Sequence, residues 1–181
     1  MQTRDAIIVR SGTRHDSRVL AELARQTFHD SFAADNGVAD MQAYLDASFG
    51  EAIQAAELAD PGSTFLVAEA GGDAVGYARL IVEAPPPCVP SVNPIHLQRI
   101  YAVRPWIGRG VGPALMTACL DLARTAQRGG IWLGVWERND RAIQFYRKWG
   151  FTRVGSMPFQ LGSDRQTDQI LHCSLDATEG G

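Results

Sequence analysis

The segment Gly108-Arg109-Gly110-Val111-Gly112-Pro113 sets three glycines within five positions. Backbone of that kind approaches a ligand closely, because no Cβ intervenes. Leu115, Met116, Leu120 and Ala123 follow at helical spacing, so the turn opens a helix. The first N–H groups of a helix have no internal partner and, with the helix dipole, form a seat for an anionic phosphate. Arg104 and Arg109 add positive charge, and Pro113 is tolerated in a first helical turn. A Walker loop would end in Gly-Lys-Ser/Thr, whereas this turn ends in Gly-Pro-Ala. A dinucleotide fingerprint would need a small residue where Pro113 stands, and an acid after a second strand. The next strand, 131–136, carries none. On this segment alone, a glycine turn with no ligand stays open.

A second segment can do chemistry of its own. The stretch 131–151 reads as a strand, then Asn139, then an amphipathic helix carrying Tyr146, then Gly150-Phe151. A phenol can donate a proton or hydrogen bond to a leaving group as charge develops on it. Tyr146 also reads as an ordinary helix aromatic, and Asn139 as a simple N-cap.

These segments need elements to hold them. Residues 6–10 form a short β-branched strand. Asp16 or Ser17 caps a helix over Leu20, Leu23, Ala24 and Phe28. Further helices are expected over 38–49 and 51–59, before the breaker Pro61-Gly62-Ser63. Strands at 64–70 and 74–83 flank the turn Gly71-Gly72-Asp73. Residues 84–94 hold five of the nine prolines and read as a surface loop. A strand at 95–103 leads to Pro105, and Gly129-Gly130 is expected to end the long helix after the glycine turn. A helix over 139–149 and strands at 151–160 and 167–175 around Gly162-Ser163-Asp164 complete the order. This is a mixed α/β pattern without internal repeats.

The chain has 181 residues, 45% hydrophobic and 20% charged, which suits one globular domain. A net charge of -3 excludes a generally basic nucleic-acid binder. Cys88, Cys119 and Cys173 form no motif and read as free thiols. The first residues lack a secretory h-region, and no run reaches the roughly 18 apolar residues of a membrane span. A cytoplasmic protein is expected, with neither membrane nor nucleic acid as partner.

Taken together, the glycine turn with its long helix and the strand, Asn139-capped helix and Gly150-Phe151 resemble the GNAT superfamily of N-acetyltransferases. The resemblance implies an α/β (α+β) fold: a mixed, mostly antiparallel central sheet of about seven strands flanked by helices, with a V-shaped split between the fourth and fifth strands. It implies a single domain over 1–181, frayed at 1–5 and 177–181. The implied activity is transfer of an acetyl group from acetyl-CoA to a primary amine by direct attack in a ternary complex, without a metal. Pantetheine amides would pair with Ile100, Tyr101, Ala102 and Val103. The pyrophosphate would sit on Gly108, Arg109, Gly110, Val111, Gly112 and Pro113. Asn139 would face the pantetheine arm, and Tyr146 would protonate the thiolate as general acid. Ile107 stands where many members carry Gln or Arg, a loss that Arg109 or Arg104 offsets in this reading. A homodimer is possible.

The catalytic base stays open. Members often place a glutamate on the strand before the glycine turn, and Gln98 stands near that place. A glutamine can hold a relay water but cannot accept the proton itself. His96, two residues away on the same face, has a suitable unperturbed pKa, and Glu83 is a third candidate. For the acceptor, Gln26 to Phe32, Met41 to Leu45, Trp132 to Glu137 and Gln166 to Asp168 are similar to PaiA-type spermidine/spermine acetyltransferases. That resemblance implies a polyamine. Residues 16–60 hold nine acids against Arg18 and Arg25, an acidic cap suited to a polycation if these faces line the cleft. From 97 to 128, five arginines face one aspartate, which suits an anionic cofactor. A protein N-terminus, a lysine or an antibiotic amine is the alternative acceptor. A non-catalytic acyl-CoA-binding regulator is the alternative class.

Overall fold

The computed structural model describes residues 6–175; the expected frayed ends, 1–5 and 177–181, lie outside them. The chain runs β1 (Ile8–Ser11), α1 (Ser17–Phe32), α2 (Val38–Ser48), α3 (Glu51–Ala59), β2 (Ser63–Ala70), β3 (Asp73–Ile81) and β4 (Ile95–Ala102). It continues through α4 (Val111–Thr125), β5 (Gly130–Trp136), α5 (Asp140–Lys148), β6 (Thr152–Leu161) and β7 (Asp164–Ser174). One seven-stranded sheet has the order β1-β2-β3-β4-β5-β7-β6. Every pairing is antiparallel except β4 with β5.

Helices cover both faces. On one, Leu115, Met116, Cys119 and Ala123 of α4 pack with Leu66, Ala78, Leu97 and Leu133 of the sheet. On the other, Leu20, Leu23, Ala24 and Phe28 of α1 and Met41 and Leu45 of α2 pack on Phe65, Val67 and Tyr77. The 3.6-residue spacing of apolar positions in α1 and α4 is what makes these faces. Asp16 stands at the start of α1 without a side-chain capping bond there. Its carboxylate instead takes bonds from Arg10 and the Thr13 N–H, which hold it down at about 2.

Two boundaries differ from the sequence reading by three residues or more. Helix α4 ends at Thr125, not at Gly129-Gly130. Gln127 takes the left-handed conformation at φ 53°, and the Arg128 N–H reaches back to the Ala123 carbonyl. That closes the helix as a glycine would. Gly130 then starts β5, where an added Cβ would meet Ser91 Oγ at 2.8 Å and the Cys173 carbonyl at 2.9 Å. Strand β7 begins three residues earlier than expected, because Leu161 pairs directly with Asp164 across a two-residue turn. Asp40 of α2 accepts bonds from the Ser163 N–H and hydroxyl, pinning that turn.

The three cysteines are free thiols, and burial pushes Cys119 up to about 12. Among the described residues no helix is long and apolar enough to cross a membrane.

Candidate active site

Strands β4 and β5 pair only at Ile95 with Ile131 and His96 with Trp132. Beyond that point they diverge, because each is committed to its other neighbour, β3 or β7. The β5-facing edge of β4 from Leu97 onward therefore has no strand partner. A cavity of about 790 Å³ opens in the split. Of the residues expected at the site, Ile100, Tyr101, Ala102, Gly108, Gly110, Gly112, Pro113, Asn139 and Tyr146 line it, as do His96 and Gln98. Val103, Arg109 and Val111 do not. The Val103 N–H turns back to the Val75 carbonyl, Val111 is fully buried in the core, and the Arg109 guanidinium lies over Trp106.

The glycine turn has the backbone an anion seat needs. Gly108 and Gly110 have φ of 78° and 100°, in the left-handed region where side chains are strained. The first internal bond of α4 runs from the Ala114 N–H to the Gly110 carbonyl, so the Val111 and Gly112 amides precede it and Pro113 has none. Arg141, from the first turn of α5, faces the same cavity.

Asn139 caps α5, its Oδ1 accepting the Ala142 N–H at 3.2 Å. Two turns beyond that cap, Tyr146 packs between Phe145 and Phe151, 5.5 and 5.8 Å between ring centres. Burial, with Cys119 nearby, pushes its phenol well above the usual tyrosine value. At neutral pH it is a protonated donor facing the split, as an acid requires.

The base candidates are engaged elsewhere. The Gln98 Oε1 accepts a bond from Arg79 Nη1. His96 is buried, stacked on Trp132 at 3.7 Å and 6°, with Nδ1 against the Glu83 carboxylate. Burial lowers its pKa, while Glu83 opposes that. Gln98 lies at a register shift between β3 and β4, where Arg79 pairs with Arg99 and Leu80 with Leu97. This bulge puts Arg99 on the same face as His96. There Arg99 grips Glu57 of α3 through both ends of its guanidinium, at 2.7 and 2.9 Å, and Arg79 binds the same carboxylate.

The acidic residues of 16–60 do not line the cavity. Asp16 binds Arg10, Glu22 binds Arg18, Asp46 binds Arg25 and Glu57 holds the two arginines. Two features escaped the sequence reading. The acceptor side is walled by aromatics, with Phe28, Phe32 and Tyr44 joined by Trp136 and Phe159. Its single carboxylate among the described residues is Asp168, 8% exposed, which desolvation and then Glu137 push up to about 6. The sequence reading noted Asp168 only within a similarity to relatives; its placement comes from pairing with Trp136.

The profile of the acetyltransferase (GNAT) family matches residues 22–151. The chain belongs to the GNAT family. An uncharacterised N-acetyltransferase of Lactobacillus delbrueckii subsp. lactis is 35% identical over 153 residues, 84% of this chain and 88% of its own length. The N-alpha-acetyltransferase RimI of Mycobacterium tuberculosis is 35% identical over 144 residues, 79% of this chain and 77% of its own. The PaiA N-acetyltransferase of Thermoplasma acidophilum, solved in complex with coenzyme A, superposes with a TM-score of 0.76 at 18% identity, over 93% of this chain and 99% of that one.

This GNAT protein is therefore an N-acetyltransferase that uses acetyl-CoA, whose thioester supplies the acetyl group. The residues present fit that co-substrate. The unpaired β4 edge offers amide and carbonyl groups to an extended molecule that carries amides of its own. The glycine turn has N–H groups suited to a pyrophosphate, and the protonated Tyr146 phenol lies on the cavity wall.

Proposed function

We propose that this enzyme acetylates a primary amine that enters as a cation, foremost a polyamine such as spermidine or spermine, by direct attack within a ternary complex. The observation carrying this reading is the acidic end of the aromatic cavity. Asp168 is buried there with no cation beside it among the described residues, and Glu137 stands close enough to push its pKa further up. Two neighbouring carboxylates without a counter-ion favour an ammonium ligand, and the aromatic walls suit its methylene chain and its charge. Tyr146 serves as the general acid and Asn139 faces the pantetheine arm. The acids of residues 16–60 contribute nothing here, since none lines the cavity and Asp16, Glu22, Asp46 and Glu57 are paired with arginines.

A second acceptor, the amino terminus of a peptide, draws on the relative named N-alpha-acetyltransferase RimI. A terminal amine also brings one ammonium group, with a side chain for the aromatic walls.

The test is thiol release from acetyl-CoA with spermidine, spermine, an alanine-terminated peptide and an aminoglycoside, beside a Tyr146→Phe variant. Release with the polyamines, reduced about 100-fold in kcat by the variant, is expected. Release only with the peptide transfers the assignment to it. Coenzyme A binding without release from any amine would favour a regulator.

A further inference from the structure

We propose that Asp168 is the catalytic base, taking the proton from the acceptor ammonium before attack; this rests on the N-acetyltransferase reading above. The residues that first suggest themselves for this role are committed elsewhere. Gln98 is an amide held by Arg79. Glu57 is shared between two guanidinium groups. Glu83 is taken up by His96, whose ring is pinned flat on Trp132.

Asp168 differs in every respect. It sits on β7 opposite Trp136 of β5 and Met157 of β6, on the cavity wall. Among the described residues no hydrogen bond or ion pair engages its carboxylate. Gly134 leaves it room: a Cβ there would meet Asp168 Oδ2 at 3.2 Å and Met157 Cε at 2.5 Å. Any larger residue at 134 would crowd the carboxylate and Met157.

The charged and titratable groups around it leave it unneutralised. Glu137, just after β5, is the charge that acts on it. Tyr44 of α2 lies within its field, and burial keeps that phenol protonated. Arg99 across the cavity is satisfied by Glu57, and His96 by Glu83. A carboxylate poised this way is nearer the working pH than an exposed aspartate and accepts a proton more readily.

The ammonium N–H bond breaks and its proton goes to Asp168, directly or through one water. The freed nitrogen lone pair forms the C–N bond to the thioester carbonyl carbon. The C–S bond breaks with its electron pair on sulfur, and the sulfur takes the Tyr146 proton. The second nitrogen proton is lost as the amide forms and restores the phenol through solvent. Asp168 then returns its proton to water.

The experiment is steady-state kinetics of Asp168→Asn, with acetyl-CoA and the fastest of the four amines above, from pH 5 to 9. The expected result is a kcat lower by about 100- to 1,000-fold, with the KM for acetyl-CoA unchanged. The parent's kcat should fall on an acid limb that the variant lacks. A variant that keeps kcat and raises only the acceptor KM makes Asp168 an ammonium-binding residue and overturns the proposal. A parent that turns over none of the amines overturns the underlying reading, and the base with it. Should Asp168→Asn not melt cooperatively, Asp168→Ser with added formate decides: restored turnover supports the base, and no rescue in a folded variant refutes it.

Discussion

Asp168→Asn should stabilise the protein above neutral pH while it slows catalysis. A carboxyl that titrates near 3.9 in an unfolded chain is pushed up to about 6 in the fold. The folded state therefore binds this proton more tightly than the unfolded chain. Its stability is full below about pH 4, declines as pH rises through 6, and is flat above that. A displacement of that size corresponds to about 3 kcal/mol, and Asp168 is buried enough to feel most of it, at 8% exposure. Asparagine has the same shape and cannot ionise, so it avoids this cost. Thermal melts of parent and variant at pH 4 and pH 8 read the difference. The Tm values should nearly coincide at pH 4 and separate by about 6–10 °C in favour of the variant at pH 8. A variant no more stable than the parent at pH 8, or a gap of equal size at both pH values, would refute the argument that burial holds this carboxylate in an unfavourable charge state.

Glu57→Gln should cost about 3 kcal/mol, read as a lower urea midpoint, because it leaves Arg79 and Arg99 charged in a pocket where Arg79 is 7% exposed. Gly110→Ala should cost about 1–3 kcal/mol, since position 110 has φ of 100°. In steady-state kinetics it should raise the KM for acetyl-CoA several-fold and leave the acceptor KM in place.

Local chemistry was legible in the sequence where it is local in space. The glycine turn, the Asn139 cap and Tyr146 lie within two contiguous segments, and each occupies the place its neighbours imply. The register of β4 was less legible. Alternation assigns Arg99 to the face opposite Gln98, but the bulge puts both on one face, and no residue type announces a bulge. The acidic run of 16–60 misled for a related reason: composition counts charges, while Arg10, Arg25, Arg79 and Arg99 decide which remain unpaired. Asp168 was least legible as a catalytic group. Its neighbours Trp136 and Glu137 are some thirty positions back in the chain and reach it only through the β5–β7 ladder.

The two residue pairs that join β4 to β5 give the donor a second standing. A sheet interrupted at its centre gains from any molecule whose amides run along the open edge, much as it would from an inserted strand. Acetyl-CoA bound in that seam would tie the β1–β4 half of the sheet to the β5–β7 half, beside which Tyr146 stands, and would make the fold harder to unfold by the free energy of that binding. On that placement the donor is also a cross-brace of the architecture, and the melting temperature should rise with acetyl-CoA concentration.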